Sequence, residues 1–220
     1  MFPVQAADQE RLLIGGTQIS ELNTFSYIGM LSPFTGSKIG EGWYSKIIAS
    51  WLTYEYDTSD DNLDVTAKAK APGLDLGVGY SWTGANYGVS LGLSGGYRHI
   101  NISPRLPDED PQGDVFTITP DIQARYRFNE KFDTDIISSY AFGQQAFFSR
   151  TRLGWHPHQD WRVGVEVFWQ KGQNYKNRQL GIFGSSYLKN GFSYELSGGV
   201  SENDNGATSP YVGVSFAKFF

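Results

Sequence analysis

The chain has 220 residues, 18 Lys and Arg against 23 Asp and Glu (a formal charge of -5), no cysteine, 26 glycines and 15% aromatic residues. A negative balance with no basic run excludes a nucleic-acid footprint, and the lack of cysteine excludes a disulfide framework and a Cys-ligated metal. Mean hydropathy is -0.37 and no run approaches the roughly 18 apolar residues of a spanning helix, so helices that cross a membrane are excluded. Strands of about ten residues stay open as an alternative, because only one of their faces meets lipid.

At the start, Val4-Gln5-Ala6 before Ala7 has the small-residue form of the end of a secretory signal, without the basic and apolar segments that precede one. Residues 1–9 are therefore expected to be a tail or the remnant of a removed signal. From 10 to 220, alternation of period 2 predicts one all-β domain: a transmembrane, antiparallel, up-and-down β-barrel of about 12 strands. The strands are expected near 10–18, 24–33, 42–57, 72–83, 86–101, 115–129, 132–143, 146–156, 161–171, 177–188, 191–202 and 210–220. An even count is what bacterial barrels require.

The connections take turns between two kinds. Ser59 to Ala71, Ile102 to Asp114 and Glu202 to Ser209 are long and polar, as extracellular loops are. The connections 83–86, 129–131, 157–160 and 189–191 are short and of the opposite parity, as periplasmic turns are. Pro33 to Glu41 is the exception, long for its side.

Several strands separate their faces cleanly. Leu74, Leu76, Val78, Tyr80 and Trp82 form an apolar set against Asp75, Gly77, Gly79 and Ser81; Tyr87, Val89, Leu91 and Leu93 do so against Gly88, Ser90, Gly92 and Ser94. Trp161, Val163, Val165, Val167 and Trp169 oppose Arg162, Gly164, Glu166, Phe168 and Gln170, with a Trp at each end where aromatic girdles meet the two interfaces. A soluble sandwich or lipocalin-like barrel also alternates, but it hides its apolar face. Here the other face holds Asp121, Arg125, Arg127, Asp135, Arg150, Arg152, Glu166 and Glu195, too many charges for a closed apolar core. Trp43 to Asp57 carries aromatics in both frames, and Lys218 falls on the lipid face, where it is expected to snorkel to the periplasmic interface.

Folding the turns back pairs the inward charges. A hairpin centred on Glu130 sets Arg127 opposite Asp133 and Arg125 opposite Asp135, and one centred on His158 sets Arg150 opposite Glu166. Two readings of the lumen follow. Its charges satisfy one another and fill a narrow barrel, or Arg98, Arg125, Arg127, Arg150 and Arg152 form a polar track for sugar hydroxyls or acidic groups, with Tyr and Trp rings as stacking surfaces.

Catalysis has thin support. Outer-membrane barrels include phospholipases, lipid A deacylases and acyltransferases, which use His with Ser or Asp, and only three histidines exist. His156 and His158 belong to a periplasmic turn as interfacial or solvated residues, while His99, near Asn101 and Ser103, offers one conceivable His and Ser pair without a third member. The acidic segments Asp57, Asp60, Asp61 and Asp64, and Asp108, Glu109, Asp110 and Asp114, lack an EF-hand arrangement; loose binding of divalent ions by solvated loops is their expectation, with no dedicated metal site and no cofactor.

The chain ends on Tyr211-Val212-Gly213-Val214-Ser215-Phe216-Ala217-Lys218-Phe219-Phe220, an alternating strand with a terminal Phe, which resembles the C-terminal signal of Gram-negative outer-membrane barrels. This strand is expected to pair with the first, around Arg11 to Gln18.

Ile14-Gly15-Gly16, Thr24 to Gly29, Gly40-Glu41-Gly42-Trp43 and Trp51 to Asp57 resemble the opening of the BcsS family of outer-membrane cellulose biosynthesis proteins. Gly77-Val78-Gly79-Tyr80, Arg150-Thr151-Arg152-Leu153-Gly154, Val163-Gly164-Val165-Glu166 and Arg178-Gln179-Leu180-Gly181 are similar to that family's later strands. The resemblance implies a role in cellulose production or secretion at the outer membrane, beside a synthase complex, and carries no defined catalytic set. Arg150, Arg152, Glu166 and Arg178 are the positions where likeness and lumen reading coincide.

The expectation is thus a non-enzymatic accessory to cellulose or other exopolysaccharide secretion. Its partners are outer-membrane lipid and lipopolysaccharide, cellulose or an oligosaccharide, and the secretion machinery. A narrow oligosaccharide channel is the alternative, resembling the acidic-sugar porins in size and strand number. A lipid-modifying enzyme using His99 and Ser103 is the third.

Overall fold

The computed structural model describes residues 11–21, 23–60, 63–104, 112–172, 176–188, 190–203 and 206–220. The expected signal remnant, the tip of the Ser103 to Gln112 loop and Asp61, Asp108, Glu109 and Asp110 lie outside those residues.

Twelve strands follow in chain order: β1 Leu12–Ser20, β2 Asn23–Pro33, β3 Gly42–Asp60, β4 Leu63–Thr83, β5 Tyr87–Ser103, β6 Gly113–Arg127, β7 Phe132–Ala141, β8 Ala146–His158, β9 Trp161–Lys171, β10 Lys176–Tyr187, β11 Phe192–Asn203 and β12 Thr208–Phe219. Each pairs antiparallel with its chain neighbours, and β1 pairs with β12 to close the barrel. The seam runs from Leu12 opposite Phe219 to Ser20 opposite Tyr211. It is extended by Arg11 N donating to Phe220 O at 2.9 Å and Phe220 N to Arg11 O at 3.1 Å. Closure leaves no sheet edge in lipid, where an unpaired backbone group has no water to turn to.

The faces are inverted relative to a soluble barrel. Leu74, Leu76, Val78, Leu91, Leu93, Val165, Val167, Leu180, Ile182, Val212 and Val214 are exposed on the outer surface. Tyr80 with Trp82 (ring centroids 4.6 Å apart), Trp43 with Tyr80 (5.2 Å) and Tyr126 with Phe128 (5.3 Å) form a girdle at the end that carries both termini and the short turns. A continuous apolar band flanked by aromatics is what lipid requires of a barrel wall.

Two expectations about β3 and β4 change. The segment 59–71 is not a loop: Asp60 pairs with Leu63, so the hairpin continues as strand beyond the apolar band. Its inward Ala67, Ala69 and Ala71 pack with Ile100 and Ile102 of β5 in a small core. Favourable ladder hydrogen bonds and this apolar row explain why polar residues there are extended. The two frames of Trp43 to Asp57 also resolve, with Trp43 and Trp51 exposed outside and Tyr44 buried inside. The long periplasmic connection is an ordered turn in which Lys38 bridges Glu41, held to β4 by Thr83 Oγ1 donating to Gly40 O at 2.6 Å.

Candidate functional site in the lumen

Five strands, β6, β7, β8, β9 and β11, bring charge into one half of the interior, with polar and aromatic side chains of β10 and β12 between them, and the register explains how. Arg125 lies opposite Asp135 and Arg127 opposite Asp133, as a hairpin centred on Glu130 requires. On the next hairpin Arg152 lies opposite Glu166 and Arg150 opposite Phe168. The expected pairing of Arg150 with Glu166 is therefore corrected by two residues. The cause is local: the pairing shifts between Trp155 and His158, and the turn falls at 159–160.

Register alone does not choose ionic partners, because strand stagger in a barrel brings diagonal side chains closer than directly opposite ones. Asp133 is wholly buried; it engages Arg125, and it binds His156 Nε2 at 2.9 Å and accepts from Arg162 Nε at 2.9 Å. Asp135 accepts from Arg152 Nε at 3.0 Å and pairs with Arg162. Arg152 continues to Glu195 Oε2 at 2.6 Å, and Arg150 lies 3.9 Å from Glu195. Glu166 accepts from Tyr211 OH at 2.9 Å. Arg125, Arg150, Arg152 and Arg162 are thus set against Asp133, Asp135, Glu166 and Glu195, four cations against four anions. The Phe183 ring makes cation–π contacts with two of the guanidinium groups, its centroid 4.9 Å from Arg152 and 4.7 Å from Arg162.

Several ties cross the interior between strands three apart. Arg152 to Glu195 joins β8 to β11, Tyr211 to Glu166 joins β12 to β9, and Gln18 Nε2 donates to Gln179 Oε1 at 2.6 Å to join β1 to β10. From the opposite wall, Tyr27 on β2 lies within electrostatic reach of Arg150, Arg152 and Glu195. Glu166 is 1% exposed, Arg162, Gln179 and Tyr211 are 2% exposed, and all four point inward. Side chains, and not bulk water, fill this part of the lumen. Arg150 Nε, Glu166 Oε2 and Gln179 Nε2 are buried there without a partner among the described residues.

The other half is built differently. Lys46 of β3 pairs with Asp121 of β6, and Arg98 of β5 donates to Ser50 Oγ at 3.0 Å near Asp75. These long side chains lie over glycines: a Cβ at Gly92 would come within 2.8 Å of Lys46 Nζ, and one at Gly73 within 2.9 Å of Arg98 Nε.

The structure places Arg98, Arg125, Arg127, Asp135, Arg150, Arg152, Glu166 and Glu195 on the inner face, and it brings Asp135, Arg150, Arg152, Glu166 and Glu195 into one cluster with Arg125 linked through Asp133. Arg127 makes no ion pair among the described residues. Arg178 does not belong to the lumen. It is exposed in the outward frame of Leu180 and Ile182, while Asn177, Gln179, Gly181 and Phe183 point inward. His156 is corrected as well: it is 8% exposed and bound to Asp133, since the strand continues through it in the inward phase of Arg152 and Gly154. Asp133, Arg162, Phe183 and Tyr211 were missing from the candidate set although their phase was readable.

Outside the lumen, His99 Nδ1 and Tyr97 OH each meet Asp114 Oδ1 at 2.7 Å, and no hydrogen bond joins His99 to Ser103 among the described residues. The described residues contain no group of His, Asp and Glu arranged to hold a metal. Lys218 stays outside and reaches the carbonyl of Asn190 at the periplasmic turn, the snorkelling position expected of it.

The short motifs acquire a physical sense here. In Arg150-Thr151-Arg152-Leu153-Gly154 the inward residues are Arg150, Arg152 and Gly154, and a Cβ on Gly154 would sit 2.6 Å from Asp133 Oδ1. In Arg178-Gln179-Leu180-Gly181 the inward pair is Gln179 and Gly181, where a Cβ would overlap the Tyr211 hydroxyl. Glycine is needed at both positions to admit a large polar neighbour.

A family model described as cellulose biosynthesis protein BcsS matches residues 12–220. Among solved structures the chain is similar to the KdgM porin in complex with disordered oligogalacturonate (10% identity, 95% of this chain and 99% of that one, TM-score 0.60). It is also similar to the β domain of the Bordetella autotransporter Brka (12% identity, 96% and 99%, TM-score 0.59) and to an outer-membrane channel of Pseudomonas putida F1 (11% identity, 99% and 100%, TM-score 0.56). At such identities the likeness is one of fold. A comparison with curated protein sequences gives no match.

Proposed function

Because this outer-membrane barrel belongs to the BcsS family of cellulose biosynthesis proteins, we propose that it serves cellulose secretion as a non-enzymatic accessory whose lumen is closed by its own polar side chains. The observation that carries this reading is the buried cross-lumen network: Asp133 is 0%, Glu166 1% and Arg162 2% exposed, although all three face the interior. An open aqueous pore would wet such groups. A second support is electrical, since each lumen carboxylate of β7 to β11 has an arginine beside it and little uncompensated charge is left to hold an acidic sugar. The wall partners of the barrel are then outer-membrane lipid and lipopolysaccharide, and its functional partners are cellulose and the secretion machinery.

Conductance in planar bilayers tests the closed lumen. The full chain is expected to carry no steady ionic current, whereas steady current blocked by an acidic oligosaccharide would replace this reading with that of a channel. Arg125, Arg150 and Glu195 favour that second reading to a degree, their side chains being 24%, 20% and 17% exposed. On the enzymatic side, incubation of purified protein with lipid A or phospholipid is expected to leave every acyl chain in place.

A further inference from the structure

The misassigned Arg178 stands in a distinctive place. β9 and β10 end on Trp169-Gln170-Lys171 and Lys176-Asn177-Arg178, and in the pairing Lys176 lies directly opposite Lys171 while Arg178 lies opposite Trp169. Lys171, Arg178 and Trp169 are exposed on the outer face and Lys176 is half-buried. Like charges placed directly across a strand pair repel each other, so Lys171 opposite Lys176 is unfavourable unless an anion offsets it. None of the three cations forms an ion pair among the described residues. Glu202, opposite Arg178 in the register with β11, makes none with it either. On the opposite side of the barrel Lys68 at the same rim has an anionic partner, its Nζ lying 2.8 Å from Glu55.

Position supplies the rest. Trp169 and Phe147, ring centroids 5.8 Å apart, mark the aromatic edge of the lipid band beside these cations, and Leu180 and Ile182 continue that band below Arg178. They stand at the end opposite both termini, the end of the long connections, which in an outer membrane faces the outer leaflet. Groups at that height meet lipid head groups. The geometry points to Lys171, Lys176 and Arg178 as a binding site for the phosphate groups of an outer-leaflet glycolipid, with the acyl chains lying along Trp169, Leu180 and Ile182. Arg178 offers a planar guanidinium suited to bidentate phosphate contact, and the two lysines supply point charges. The site depends on the barrel sitting in an outer membrane and is independent of whether the lumen conducts.

The test places the full chain in bilayer nanodiscs containing bisphosphorylated lipid A, or lipid A with both phosphates removed, and measures lipid retention by native mass spectrometry. Wild type is expected to retain the phosphorylated form preferentially, and the preference is expected to weaken as salt is raised. The triple variant K171Q/K176Q/R178Q should bind it on the order of a hundredfold more weakly, taking each surface cation as worth about fivefold. Equal retention of the two lipids by wild type would overturn the site without reference to any variant. Undiminished preference in the triple variant would overturn the assignment to these residues. Conductance is read on the same purified protein in planar bilayers, so failure of this site and failure of the closed-lumen reading are separate results.

Discussion

The two halves of the lumen solve one problem in opposite ways. Within the lipid band the inward positions of β4 and β5 are mostly glycine and serine, with Asp75 and Arg98 the exceptions, and Arg98, Asp75 and the neighbouring Lys46 and Asp121 lie against those glycines. On β7 to β10 the inward positions include Asp133, Asp135, Arg150, Arg152, Arg162, Glu166, Phe168, Gln179 and Phe183, which stand up from the wall and form a packed polar cluster. A thin wall needs few contacts to be stable, and a thick polar one needs all of its contacts, because a half-satisfied buried network costs more than none. The thick side is therefore where substitution should hurt.

The largest effect is expected at Asp133. Replacing it with Ala leaves Arg125, Arg162 and His156 around a void, and breaking a buried charge cluster by removing one partner costs about 3 to 5 kcal/mol. The midpoint and slope of urea unfolding in detergent micelles measure this; a loss under about 1 kcal/mol would show the cluster to be solvated. A matched pair of glycine substitutions sharpens the contrast. Gly154→Ala forces a methyl against Arg162 and Asp133, which are bound to each other in the buried cluster, and should cost about 1 to 3 kcal/mol. Gly92→Ala meets only the movable ends of Lys46 and Asp121 and should cost less than about 1 kcal/mol. Equal losses would erase the distinction between the halves. The smallest effect belongs to Arg178→Gln, which in phosphate-free detergent should change stability by no more than about 0.5 kcal/mol, as for an exposed residue outside any network. A larger loss would return Arg178 to a structural role.

Much of this architecture was legible in the chain itself. Twelve strands, the outward and inward sets of β4, β5 and β9, the hairpin centre at Glu130 and the terminal seam follow from alternation and turn placement, since lipid on one side and lumen on the other impose a period of 2 without exception. Arg178 was readable too, because Leu180 and Ile182 declare the lipid frame two and four residues on. Resemblance drew it to the wrong face. His156 was assigned to the periplasmic turn although it closes the expected strand 146–156, in which Arg152, Gly154 and His156 keep one phase. The true ionic partners were a different matter. Arg152 meeting Glu195, or Tyr211 meeting Glu166, joins strands three apart, and that proximity depends on the stagger and cross-section of the closed barrel, which no local pattern contains.

The seam between β1 and β12 carries a consequence for how the molecule comes into being. Until β12 is present, β1 and β11 are both open edges, each a row of backbone donors and acceptors with no partner. Within hydrocarbon every such group costs several kcal/mol, so a chain lacking its last strand has no stable resting state across the bilayer. Contacts such as Leu12 with Phe219 also span almost the whole sequence, the kind of pairing that forms slowly. Assembly is therefore all-or-none with respect to synthesis: the first strand must wait, shielded from water and from other chains, for the last residues to arrive.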